Sequence, residues 1–168
     1  MSQFQNGQII VYGNLGVYEV ENIAPMSFGD GCFREYYTLR PYFSDSNDRT
    51  YIPTSKKDLL RPVISPEQAE EYLKQIGTED TPAGSFTNQT FLAAHYQEML
   101  QGNDFYTTLR LFKEIYHKER LQKSRGRKVN AMDVHFCQLA EHVLTEELAI
   151  TFQETPAQAA ERLKDAVK

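Results

Sequence analysis

The side chains able to do chemistry are few and, with one exception, scattered. The four histidines, His95, His117, His135 and His142, stand in no H-E-x-x-H or C-x-x-C setting. His142 and Glu146 lie four residues apart on one helix face, which is the spacing of a pair of metal ligands. The same spacing suits an ordinary i,i+4 ion pair, and we read it so. Asp133, His135 and Cys137 alternate along the chain, so on a helix they point different ways and do not converge. Gly29-Asp30-Gly31 reads as a turn, and no G-x-S-x-G, P-loop or dinucleotide fingerprint occurs. The chain is therefore expected not to be an enzyme, with no catalytic residue, no metal ligand and no cofactor assigned.

The exception is a concentration of positive charge. From Arg110 to Lys128 stand Arg110, Lys113, Lys118, Arg120, Lys123, Arg125, Arg127 and Lys128, against Glu114 and Glu119 alone. The end of this stretch, Lys123-Ser124-Arg125-Gly126-Arg127-Lys128, falls in a helix-to-helix connection where its side chains reach freely. Clustered Lys and Arg beside Ser and Gly suit a phosphate backbone, because each contact releases condensed counterions. A solvated helix face and turn is the plain alternative. The net charge of −5 argues mildly against non-specific coating of nucleic acid, but it leaves room for one basic face.

The elements that must position these residues fall into two kinds. Ile9-Ile10-Val11-Tyr12 is a β-prone run between Gly7 and Gly13, and from Val17 to Ile23 a period-2 pattern returns after a tight bend at Gly13-Asn14 and Gly16. Phe33 to Arg40 and Arg49 to Pro53 supply two more strands, separated by loops over Phe28–Gly31 and Ser44–Asp48. Four or five short strands within roughly sixty residues avoid exposed edges by curling into a small SH3- or Tudor-like barrel.

Helix chemistry starts at Ser65-Pro66, where Ser65 is an N-cap, Pro66 the first helical residue and Gln68 the second arm of a capping box. This helix stops at Gly77, and residues 78–88 form the longest loop. A second helix is expected over Gln89–Gln101 with Gly102 as its C-cap. A third carries Phe105, Leu109, Phe112 and Tyr116 as a buried stripe, and a fourth runs over Asn130–Thr151. A fifth starts at Thr155-Pro156 with Ala159, Leu163 and Val167 on one face. The expectation is a β barrel over residues 1–64 followed by an all-helical domain of about five helices over 65–168.

Length and composition agree with that layout. A chain of 168 residues, 40% hydrophobic and 24% charged, is ordinary for one large or two small globular domains. No run approaches about 18 consecutive apolar residues, so no membrane span is expected. The N-terminus lacks the regions of a signal peptide, and Cys32 and Cys137 make no disulfide framework. Both point to a cytoplasmic protein.

Read in order, Phe4, Gly7, Val11, Tyr12, Gly16, Val17, Val20 and Ile23, then Glu35-Tyr36-Tyr37-Thr38-Leu39, Tyr51-Ile52-Pro53 and Leu60-Arg61, resemble the polymerase-interaction module of the CarD family. The transcription-repair coupling factor carries the same module. Gln101-Gly102-Asn103-Asp104, Gly126-Arg127-Lys128 and the segment from Ala140-Glu141 to Glu147-Leu148-Ala149 extend the resemblance into the helices. No helicase motif follows, so the stand-alone CarD-like regulator is the better fit.

The resemblance implies a bacterial transcription regulator whose barrel adds its exposed strand edge to a lobe of the RNA polymerase β subunit. Basic side chains flank that contact in the family. Here one of those positions is Tyr51, with Arg49 on the same strand face, and the other falls near Met26, with Arg34 close by. These four are the candidate polymerase-binding residues. The resemblance also implies a tryptophan that wedges into the minor groove at the upstream edge of the promoter bubble. This chain has no tryptophan, and Phe86 is the nearest substitute. Phe86, Lys123, Arg125, Arg127 and Lys128 are accordingly the candidate promoter-DNA contacts.

The favoured expectation is a regulator that modulates open-complex stability, acting as a monomer or as an edge-strand-swapped dimer. An adaptor that binds polymerase without touching DNA is the alternative. A metal-dependent enzyme built on His142 and Glu146 comes last.

Overall fold

The β-prone runs pair as antiparallel strands. In a computed structural model that describes residues 3–13, 15–79 and 89–168, they are β1 (Ile9–Tyr12), β2 (Gly16–Met26), β3 (Arg34–Pro41), β4 (Thr50–Pro53) and β5 (Leu60–Pro62). The sheet order is β4-β3-β2-β1-β5. Glu19 faces Ile9 on one side and Arg40 on the other, and Thr38 faces Tyr51, which sets the register across the sheet. A bulge between Val20 and Asn22 leaves Glu21 as the extra residue of β2.

The expected barrel does not close. Pairing runs from β4 to β5, and no ladder joins these two edges among the described residues. Both edge strands are short and end in a proline, Pro53 and Pro62, which has no N–H to donate to a further ladder.

Alternation along the strands gives the sheet two different faces. The inner face buries Phe4, Ile10, Val20, Tyr37, Leu39, Ile52 and Leu60 as one core. Tyr37 fastens the N-terminal segment over it by accepting the Gln3 N–H at 2.8 Å. The outer face carries Ile9, Val11, Val17, Glu19, Arg40, Thr38, Tyr36 and Tyr51, as the register requires.

Five helices follow: α1 (Pro66–Thr78), α2 (Gln89–Gln101), α3 (Phe105–Ser124), α4 (Ala131–Phe152) and α5 (Pro156–Val167). The caps explain the boundaries. Ser65 accepts the Gln68 N–H at 3.2 Å, but the Gln68 side chain donates to Tyr72 instead of completing the capping box. Asp104 and Asn130 cap α3 and α4, and Thr155 with Gln158 forms a full capping box on α5. One helix stop differs from expectation. Gly77 lies inside α1, whereas α2 ends at Gln101 with Gly102 following it as expected and Asn103 (φ 48°) as the left-handed residue after that. Asn tolerates that conformation because its short amide bonds locally. Phe105, Leu109, Phe112, Ile115, Leu144, Leu148, Ala159, Leu163 and Val167 form the helical core. No described helix is long and apolar enough to cross a membrane.

Candidate functional site

Half of the sheet's outer face is covered by α4. Val11 and Val17 bury against Val143, flanked by Ile9, Val63 and Ile150. Two adjacent carboxylates of α4 fasten this contact. Glu147 is fully buried and takes a two-pronged grip from Arg61, at 2.6 and 2.5 Å, together with the Ile64 N–H at 3.0 Å. A fork-on-fork pair of this kind satisfies both carboxylate oxygens, which is what makes a buried charge tolerable. Thr151 adds a hydroxyl bond to the Ile64 carbonyl at 3.1 Å.

Glu146 accepts the Val17 N–H at 3.0 Å, with His142 at 3.5 Å on the same oxygen. Burial pushes its carboxyl above the usual range, while the Val17 N–H and His142 act in the opposite sense. Gly16 lets the strand come this close. Its φ is +125°, and a Cβ there would lie 2.1 Å from the Glu146 Oε1. The His142–Glu146 spacing noted in the sequence thus belongs to an ion pair that ties a helix to a strand. Among the described residues no group of three or more His, Cys, Asp and Glu side chains could hold a metal ion.

The other half of the same face is aromatic and, among the described residues, uncovered. Phe28, in the turn after β2, folds back over β3 and β4. Its ring lies edge-on to Tyr36 at 4.9 Å and tilted to Tyr51 at 5.6 Å. Asp30 holds this turn by accepting the Cys32 N–H at 3.0 Å. Phe28 is 60% exposed and Tyr51 43%. Beside them β4 is a sheet edge with pairing on one side only.

The four candidate polymerase-binding residues do not gather at one point: Met26 and Arg34 lie at the start of β3, whereas Arg49 lies opposite its far end, with Tyr51 between. Met26 pairs with Arg34 across β2 and β3, and Arg34 is exposed with no ion pair among the described residues. Arg49 precedes β4 and is held by Glu21 at 2.7 Å, so its charge is already matched within the chain. Tyr51 stands in the aromatic cluster. Phe28 was not singled out by sequence reasoning, although a phenylalanine beside a Gly-Asp-Gly turn is a signal for an exposed ring.

The basic stretch divides into two parts. Arg110 pairs with Glu79 at 3.0 Å, and Lys118 reaches the buried Asp133 at 3.0 Å, where the Tyr96 hydroxyl also donates at 2.7 Å. Lys113 is buried and donates to the Ile76 and Glu79 carbonyls, so it caps the end of α1. Arg120 lies 5.7 Å from the Tyr116 ring centre. Lys123, which lies in the last turn of α3 and not in the connection the sequence suggests, and Arg125, Arg127 and Lys128 on the α3–α4 turn remain exposed, with no ion pair among the described residues. Phe86 lies outside the described residues.

Cys32 is exposed in the turn before β3, whereas Cys137 is buried in α4 with its thiol pushed up to about 12, chiefly by burial.

The comparisons with known proteins bear on the first part of the chain. The family model described as CarD-like/TRCF RID domain matches residues 4–64. That span starts at Phe4, which seals the inner core, and ends at Ile64, whose N–H bonds Glu147. No curated protein matches the chain.

Proposed function

Residues 4–64 are a CarD-like/TRCF RID domain, an RNA-polymerase-interaction domain, and from that premise we propose that the free edge of β4 pairs with a strand of the polymerase β-subunit lobe. The observation that carries this reading is an uncovered sheet edge inside the matched domain. Strand addition there supplies main-chain hydrogen bonds, and neighbouring side chains supply selectivity. The helical domain, fastened to the sheet by Glu146 and Glu147, then faces upstream promoter DNA through Lys123, Arg125, Arg127 and Lys128, with Phe86 as the candidate wedge. The chain acts in the bacterial cytoplasm, where it modulates the stability of the open promoter complex. Such an effect requires tighter binding to one state of the complex than to the other.

Two observations favour the second reading, a polymerase-binding adaptor without DNA contact. Arg110, Lys113 and Lys118 are engaged inside the chain, and the overall charge is −5. Titration of the full chain into purified RNA polymerase, with and without a forked promoter DNA, separates the two. The regulator reading expects DNA to tighten binding in a salt-sensitive way, with Phe86→Ala and Arg125→Ala weakening it. Equal binding with and without DNA selects the adaptor.

A further inference from the structure

Contiguous exposed apolar patches on a protein surface mark interaction sites, whereas single exposed side chains do not. Phe28, Tyr36 and Tyr51 make one contiguous aromatic patch on the outer face, against the unpaired edge of β4. The same face is dry where α4 lies on it, over Val11 and Val17. A strand added to β4 would run about 4.8 Å from it and place every second side chain on this outer face, beside Tyr51 and within reach of Phe28.

Two of the three arginines around the patch are matched within the chain. Arg49 is held by Glu21 at 2.7 Å and Arg40 by Glu19 at 3.3 Å. Arg34, two residues before Tyr36 and so on the same face, is exposed with no ion pair among the described residues, while Glu35 points to the opposite face. Arg34 is thus the one candidate cation on this face left without an ion pair among the described residues, and recruiting Arg49 would first loosen the partly exposed pair it already has.

We propose that the polymerase strand docking on β4 presents aliphatic or aromatic side chains to the Phe28–Tyr51 rings, and that this apolar contact, not ion pairing, sets the affinity. The inference rests on the strand-addition reading above. Aromatic anchors at the centre of an interface are the side chains whose truncation costs most.

The test is binding of the full-length chain to purified RNA polymerase without DNA, at low and high salt. Phe28→Ala and Tyr51→Ser are each expected to weaken binding at least about tenfold. Arg34→Ala and Arg49→Ala are expected to stay within about threefold of the parent, as is the parent itself between about 0.1 and 0.5 M salt. Tyr51→Ser changes an exposed ring on an edge strand, so a folded variant is available even if Phe28→Ala loosens its turn. The proposal is overturned if both aromatic variants bind like the parent. It is equally overturned if high salt abolishes binding while Arg34→Ala costs tenfold, and in either case strand addition itself survives. No binding by the unmodified chain overturns the strand-addition reading and this inference with it.

Discussion

The covered and uncovered halves of the sheet's outer face are built from the same strands and have opposite fates. On one half Val11 and Val17 meet Val143, and two carboxylates of α4 close over β2 and the end of β5. On the other, Phe28 packs on Tyr36 and Tyr51. Small branched side chains let a helix approach closely, whereas the aromatic half is broad and, among the described residues, has no helix above it. The first half contributes stability to the chain. The second carries the surface we assign to a partner.

The sharpest way to break this contrast is at Glu147. Glu147→Ala strands the Arg61 guanidinium and the Ile64 N–H, and should cost about 3–5 kcal/mol in urea unfolding. A loss under about 1 kcal/mol would mean that the carboxylate does not hold the two parts together. Next comes Gly16→Ala, which places a methyl against Glu146 at a positive φ and should cost about 1–3 kcal/mol. Part of that loss should return on a Glu146→Ala background, and strictly additive costs would refute the close approach.

Val143→Ala and Phe28→Ala compare the halves directly. The first should lose about 2 kcal/mol from burial and cavity terms. The second should lose about 1 kcal/mol or less, because the ring is mostly in water already. Equal losses would erase the distinction between the two halves.

A smaller effect is expected from pH. Burial raises the Glu146 carboxyl, so the proton it binds in the folded state favours folding below the ordinary Glu range, and that contribution is lost as pH rises through the raised value. Glu146→Gln still accepts the Val17 N–H without a buried charge. It should match or slightly exceed the parent at neutral pH, with the difference closing as the solution is acidified. A variant clearly weaker at pH 7 would show that the ionised carboxylate and His142 matter more than burial. Smallest of all, a thiol reagent should modify Cys32 in the folded protein without moving the unfolding midpoint, and Cys137 only after unfolding. Rapid reaction of both thiols would contradict the buried α4 site.

Much of the local structure was legible because it is written in short-range chemistry. Gln89–Gln101 is the helix the pattern predicts, Ser65, Asp104 and Thr155 start helices as capping residues do, and the alternation after Gly16 sorts β2 into two faces. The candidate site was legible only in part. Tyr51 and Arg34 were visible as strand residues, but Phe28 reads as a loop residue until the turn folds it over β3 and β4. The basic stretch read as one feature because sequence neighbours share a charge. Folding engages Lys113 and Lys118 inside the helical domain and leaves Lys123 to Lys128 outside.

By itself the sequence determined the strands, the helices, the N-caps Ser65 and Thr155 and the polymerase-interaction module, since periodicity, propensity and capping act over a few residues. Only the tertiary structure decided that the sheet stays open with β4 at its edge, that Arg61 and Glu147 join residues 86 positions apart, and which half of one face is left aromatic and bare. Those outcomes depend on which surfaces meet across long loops, and no local pattern encodes that meeting.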